Sequence, residues 1–255
     1  MTLADLPLLL TPLLAGALVL LSHVPLGEQV LRRGIVFSDL AIAQVAALGA
    51  LVTATLAHDL PAAGWVGSGL AALAGSGLVA AVCRRWPERR EALIGLVYVS
   101  AAALAVLWVS ADPHGAHKLK ATLSGDVLWV TWADLAPLAV ATALFLALSA
   151  WRPRFWQQGR AFYPCFAVFV SLSVPLLGLY LVFSSLVVPA LAAAAVGWGR
   201  LGALAIGVTG YVLGLAVSLW VDLPSGACVV VALVATGSAV ALGRRRRGTG
   251  TGTEH

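Results

Sequence analysis

Apolar runs separated by short polar stretches repeat along nearly the whole chain, at 6–25, 35–57, 63–83, 92–110, 134–151, 163–198, 201–221 and 226–243. A helix needs roughly 20 apolar residues to cross a hydrocarbon core of about 30 Å. The runs therefore predict an all-α fold: a polytopic integral membrane helical bundle of eight to nine transmembrane segments. The run 163–198 is too long for one simple span and contains Pro164, Pro175, Gly178 and Pro189. It reads as one tilted helix plus a broken half-helix, or as two short crossings. The first run has no basic region before it, Asp5 being its only early charge, and reads as a retained helix rather than a signal peptide.

Composition agrees: 60% of the 255 residues are hydrophobic and 11% are charged, against about 25% charged in a soluble domain. The net charge of +5 could suggest nucleic acid, but the placement of the charges argues against it. All fourteen arginines fall between or after apolar runs, at 32–33, 84–90, 152–160, 200 and 244–247. Clusters of this kind mark the cytoplasmic side of a membrane protein. Placing them all on one side puts the N-terminus outside, the C-terminus inside, and both lysines, Lys118 and Lys120, opposite the arginines. It also requires 163–198 to leave and return, which favours nine crossings with the sixth and seventh short. Residues 1–243 then form a single transmembrane domain, and 244–255 a basic, then disordered, cytoplasmic tail. Gly and Ala are frequent in the spans, as close helix packing in lipid requires. Cys83, Cys165 and Cys228 are odd in number and lack metal or disulfide spacing.

Ionisable groups inside spans are costly and usually face a bundle interior or a pathway. Asp39, in the second run, is the clearest case. It lies six residues past Arg33, about 9 Å of helix rise, so it reads either as an arginine-paired interfacial carboxylate or as part of a substrate path. Gln44 is deeper, about 140° around the helix from Asp39, and suits either an interhelical hydrogen bond or a ligand contact. Ser184, Ser185 and Pro189 fall within the double crossing, where irregular backbone lines a cavity or is packed in protein. The loop ADPHGAHKLKATLSGD carries His114 and His117 at a spacing that one helical turn could bring together, and imidazole suits zinc. A wetted loop is the competing reading, and the neighbouring lysines would repel a cation. His23 and His58 sit at predicted span ends, where interfacial solvation accounts for them. VDLPSGA, before the last run, has the chemistry of a tight turn.

No phosphate-binding G-x-x-x-x-G-K-[ST] loop, H-E-x-x-H or G-x-S-x-G occurs, so no catalytic residue is assigned and any ATP hydrolysis belongs to another polypeptide. Five blocks, in order, resemble the membrane permease subunits of bacterial zinc/manganese ABC importers: RRGIVFSDLAIAQVAALGA, EALIGLVYVSAAALAVL, LKATLSGDVLWVTWADL, GLYLVFSSLVVPALAA and VDLPSGACVVV. Asp39 matches the family's second-span Asp. The His that follows it in the family falls on Ala43; aligned on Gly49 instead, Gln44 takes the His position and Leu40 the Asp position, and in neither alignment is the family's Asp and His pair intact.

The resemblance implies a homodimeric permease in the bacterial inner membrane, with the translocation path formed by the two copies. It implies a transported divalent metal, zinc or manganese, with Asp39, Gln44, Ser184 and Ser185 as path candidates and Asp39, His114 and His117 as metal candidates. It implies no covalently bound cofactor, with ATP acting only through a partner ABC ATPase subunit. An extracytoplasmic solute-binding protein would deliver the ion. The loop carrying Arg152, Arg154, Gln158 and Arg160 would couple to the ATPase. The alternatives are a secondary, ion- or proton-coupled transporter and a non-transporting membrane scaffold.

Overall fold

In the computed structural model, residues 6–56, 63–110, 127–152 and 159–248 are described, with 119, 123 and 125 as isolated positions. The helices run α1 (Leu6–Arg33), α2 (Val36–Leu56), α3 (Ala63–Arg85), α4 (Arg90–Val109), α5 (Trp132–Trp151), α6 (Gly159–Leu177), α7 (Leu179–Val196), α8 (Gly199–Val221) and α9 (Ser225–Gly248). Single 3-10 turns at Pro87–Arg89 and Val127–Trp129 complete the regular structure among the described residues. Eight of the helices are long and apolar enough to cross a membrane, and Ala161–Leu177 within α6 is a shorter apolar helix.

The long run 163–198 is two helices joined at Gly178, whose φ of 78° is a backbone conformation open to glycine at little cost. The first helix departs from its expected end near residue 25, continuing through Pro12 and Pro25 to Arg33. Proline removes one main-chain donor, a loss that neighbouring helices and serine hydroxyls offset inside a bundle.

Small residues set the packing. α2 is buried on nearly every side from Ser38 to Ala47. It meets α3 at Gly49 and Gly67, where a Cβ on Gly67 would stand 2.6 Å from the Gly49 carbonyl oxygen. α1 lies against α7 and α8, with Gly16 beneath the Tyr211 ring and Gly27 against the main chain of Leu186. The bundle's outer surface is apolar, with Leu96, Leu107, Leu144, Leu201 and Val231 all exposed, as a lipid-facing surface requires.

The two ends of the bundle are identified by named contacts. At one end, the Arg33 guanidinium lies 4.3 Å from the Phe162 ring centroid, joining the end of α1 to the start of α6. Arg200 at the start of α8 pairs with Glu28 near the end of α1 at 2.8 Å. A Cβ on Gly34 would lie 3.3 Å from Arg90. The arginines of these connections thus share one end. At the other end, Gly125 packs against the α6–α7 break, a Cβ there falling 2.6 Å from the Gly178 nitrogen. Val127 N–H donates to Ser225 Oγ, at the start of α9, at 2.9 Å. α6 and α7 therefore pass through the bundle out and back.

Candidate functional site

α1 ends at Arg33, and Gly34, with φ of 61°, turns the chain into α2. Ser38 Oγ donates to the Ile35 carbonyl at 2.6 Å, closing the first turn. Asp39 lies in that turn, where the positive end of the helix macrodipole favours a carboxylate. Its side chain is 0% exposed, and among the described residues neither oxygen has a hydrogen-bond partner. A buried carboxylate without partners is among the costliest arrangements a fold can hold, which makes this group a candidate for binding a cation.

Gln44 is also buried, five residues further along α2. Because α2 is enclosed on nearly all sides, both side chains are internal to the chain although they point in different directions. Ser184 Oγ donates to the Tyr180 carbonyl at 2.8 Å. Ser185 Oγ donates to the Leu181 carbonyl at 2.7 Å and lies 2.9 Å from Tyr211 Oη. Both hydroxyls are thus bonded back to α7, and the second also ties α7 to α8.

Among the described residues, no three His, Cys, Asp or Glu side chains stand close enough to hold a metal ion. His114, His117, Arg154 and Gln158 lie outside the described residues. Arg160 belongs to the first turn of α6, and Arg152 stands exposed at the end of α5, its guanidinium 5.2 Å from the Trp151 ring centroid.

Comparison with known proteins decides the framework. A family model described as the ABC 3 transport family matches residues 5–157. The chain belongs to the ABC 3 transport family. No curated protein matches the sequence. The fold is similar to that of a solved structure, PsaBC from Streptococcus pneumoniae in complex with Fab, with a TM-score of 0.72, 17% identity and 93% of each chain covered. At that identity the likeness is one of fold. The assignment drawn from the five sequence blocks, to the permease subunits of metal-ion ABC importers, agrees with the ABC 3 family and with this all-α, polytopic architecture.

Within the ABC 3 bundle, other polar side chains are buried besides those singled out as path candidates. His23 is not at a span end: it is 0% exposed, ten residues before the end of α1, with its ring edge-on to Phe169 at 6.3 Å. Its Nδ1 lies 3.1 Å from the Val19 carbonyl oxygen, and its Nε2 has no partner among the described residues. Thr142 on α5 and Ser173 on α6 are buried with unpartnered hydroxyls, unlike Ser22, Thr53, Ser184 and Thr236, which bond to carbonyls a turn earlier. Extending the first helix past Pro25 would have placed His23 at depth. The Val127–Ser225 bond joins two of the family-like blocks, and Gly125 joins one of them to a third at Gly178.

Proposed function

We propose that this chain is the transmembrane permease subunit of an ATP-driven importer for a divalent metal ion, zinc or manganese, and that it works as a homodimer. The observation that carries the reading is Asp39, a buried carboxylate with no hydrogen-bond partner among the described residues, near the arginine end of an ABC 3 bundle. Asp39 and Gln44 belong to the ion's route, and the α7 segment with Ser184, Ser185 and Pro189 borders it. His114 and His117 remain candidate metal contacts on the far loop. Residues 1–243 form one permease domain.

The arginine end is cytoplasmic, the N-terminus is outside, and the C-terminus carries the basic tail of 244–255. An ABC ATPase subunit docks on the arginine end, with Arg152, Arg154, Gln158 and Arg160 in the coupling loop. A solute-binding protein delivers the ion to the opposite end. ATP binding and hydrolysis in the partner shift the bundle between outward-open and inward-open populations, a ligand acting through its unequal affinity for two states. Loose oxygen ligation suits a route from which the ion must also leave.

The test is reconstitution of the permease with its ATPase and binding protein in proteoliposomes, measuring ATP hydrolysis and metal uptake. The reading expects zinc or manganese to stimulate hydrolysis and uptake to require ATP. No stimulation by either metal in an assembled complex would refute it, and uptake driven by a pH gradient without the ATPase would favour a secondary transporter.

A further inference from the structure

We propose that the groove between α5 and α6 is a binding site for an anionic phospholipid, with an acyl chain against the groove walls and the phosphate on Arg152. The groove encloses about 520 Å³, with Leu144, Phe145 and Leu148 on one wall and Pro164, Cys165 and Phe169 on the other. Phe145 and Phe169 meet edge to face at 5.2 Å and close its floor, both rings nearly buried. Apart from the Cys165 thiol the lining is hydrocarbon, a surface suited to an acyl chain and to no polar ligand. Along α6 it runs from Ala161 to Phe169, eight residues or about 12 Å of helix rise.

The end of the groove supplies the headgroup chemistry. Leu148 is one turn before Arg152, so the cleft opens at the arginine end of the bundle. There Trp151 is 76% exposed and Arg152 lies over its ring, an aromatic and a cation at the level where lipid headgroups sit. A cation such as Arg152 at the end of an apolar cleft between membrane helices attracts an anionic headgroup. A zwitterionic lipid would fill the same cleft without this gain. Charge complementarity therefore selects the lipid.

The experiment uses the full-length protein in detergent, titrated with phosphatidylglycerol and with phosphatidylcholine of the same acyl chains, with bound lipids counted by native mass spectrometry. One lipid per chain should bind about fivefold more tightly as phosphatidylglycerol, the effect of one interfacial arginine. Arg152→Gln should abolish that preference while leaving phosphatidylcholine binding in place. Leu144→Trp and Cys165→Trp should each displace that lipid by filling the cleft, and having both keeps the test open should one fail to fold. Equal binding of the two lipids to the natural protein would overturn the proposal, as would a preference surviving both Arg152→Gln and a folded filled-groove variant. Cross-linking of two chains through Cys165 in a Cys83→Ser, Cys228→Ser background would also overturn it, by placing a second copy in the groove.

Discussion

The main-chain N–H of Val127 donates to the hydroxyl of Ser225 at 2.9 Å, across ninety-eight positions of sequence, and both residues are essentially inaccessible to solvent. The bond holds the Val127–Trp129 turn against the start of α9. Ser225→Ala would leave a buried N–H without an acceptor, a loss of about 1–3 kcal/mol. The expected result is a lower midpoint of thermal unfolding in detergent, largely restored by Ser225→Thr, which keeps the hydroxyl.

Gly125 at the same end allows a sharper contrast. Its φ is 60°, and any Cβ would collide with the main chain of Leu177 and Gly178. Gly125→Ala combines left-handed strain of about 1–2 kcal/mol with a backbone clash that no rotamer change relieves. It should lower the yield of monodisperse protein more than Ser225→Ala does. Gly69→Ala and Gly77→Ala, at helical positions with open space around them, should leave yield and thermal midpoint unchanged or improved, since alanine is the better helix former by about 1 kcal/mol. Size-exclusion profiles of the four variants check the ranking.

The spans were legible because lipid imposes one rule on every helix, a long apolar run, and the Gly178 break was legible because proline and glycine accumulate around it. The length of α1 was not. The apolar run closes at residue 25, yet the helix continues through Pro25 to Arg33, and that single misplacement put His23 at an interface instead of in the core. Asp39 was found from its position in a span, but its lack of partners was not, because Arg33 could have pointed toward it and instead lies over Phe162. The Val127–Ser225 bond depends on the return path of the chain, which local pattern does not encode.

Tyr211 and Ser185 test whether α1, α7 and α8 act as one unit. The Tyr211 hydroxyl is 2.9 Å from Ser185 Oγ, and the same ring covers Gly16, where a Cβ would fall 2.7 Å from Cε1. Tyr211→Phe removes one buried hydrogen bond while Ser185 keeps its Leu181 acceptor, so it should cost only about 1 kcal/mol. Gly16→Val must displace a buried aromatic ring and should cost more, on the order of 1–3 kcal/mol from overpacking. Thermal midpoints of the two variants, read against the natural protein, give the order directly.

Asp39→Asn separates function from stability. The substitution keeps the shape of the side chain and removes a carboxylate that is fully buried and has no hydrogen-bond partner among the described residues. An unpartnered buried charge destabilises a fold, so a residue retained only for packing would be improved or unchanged by becoming neutral. The variant should therefore fold with a thermal midpoint at or above that of the natural protein. If the carboxylate meets the ion in transit, the same variant should lose metal uptake by about tenfold or more, the effect of roughly 1.4 kcal/mol on one step of the route. Uptake in proteoliposomes and unfolding in detergent, measured on the same preparation, give the answer. Full uptake with raised stability would make Asp39 a tolerated defect of the bundle, whereas lost uptake with unchanged stability identifies it as part of the path.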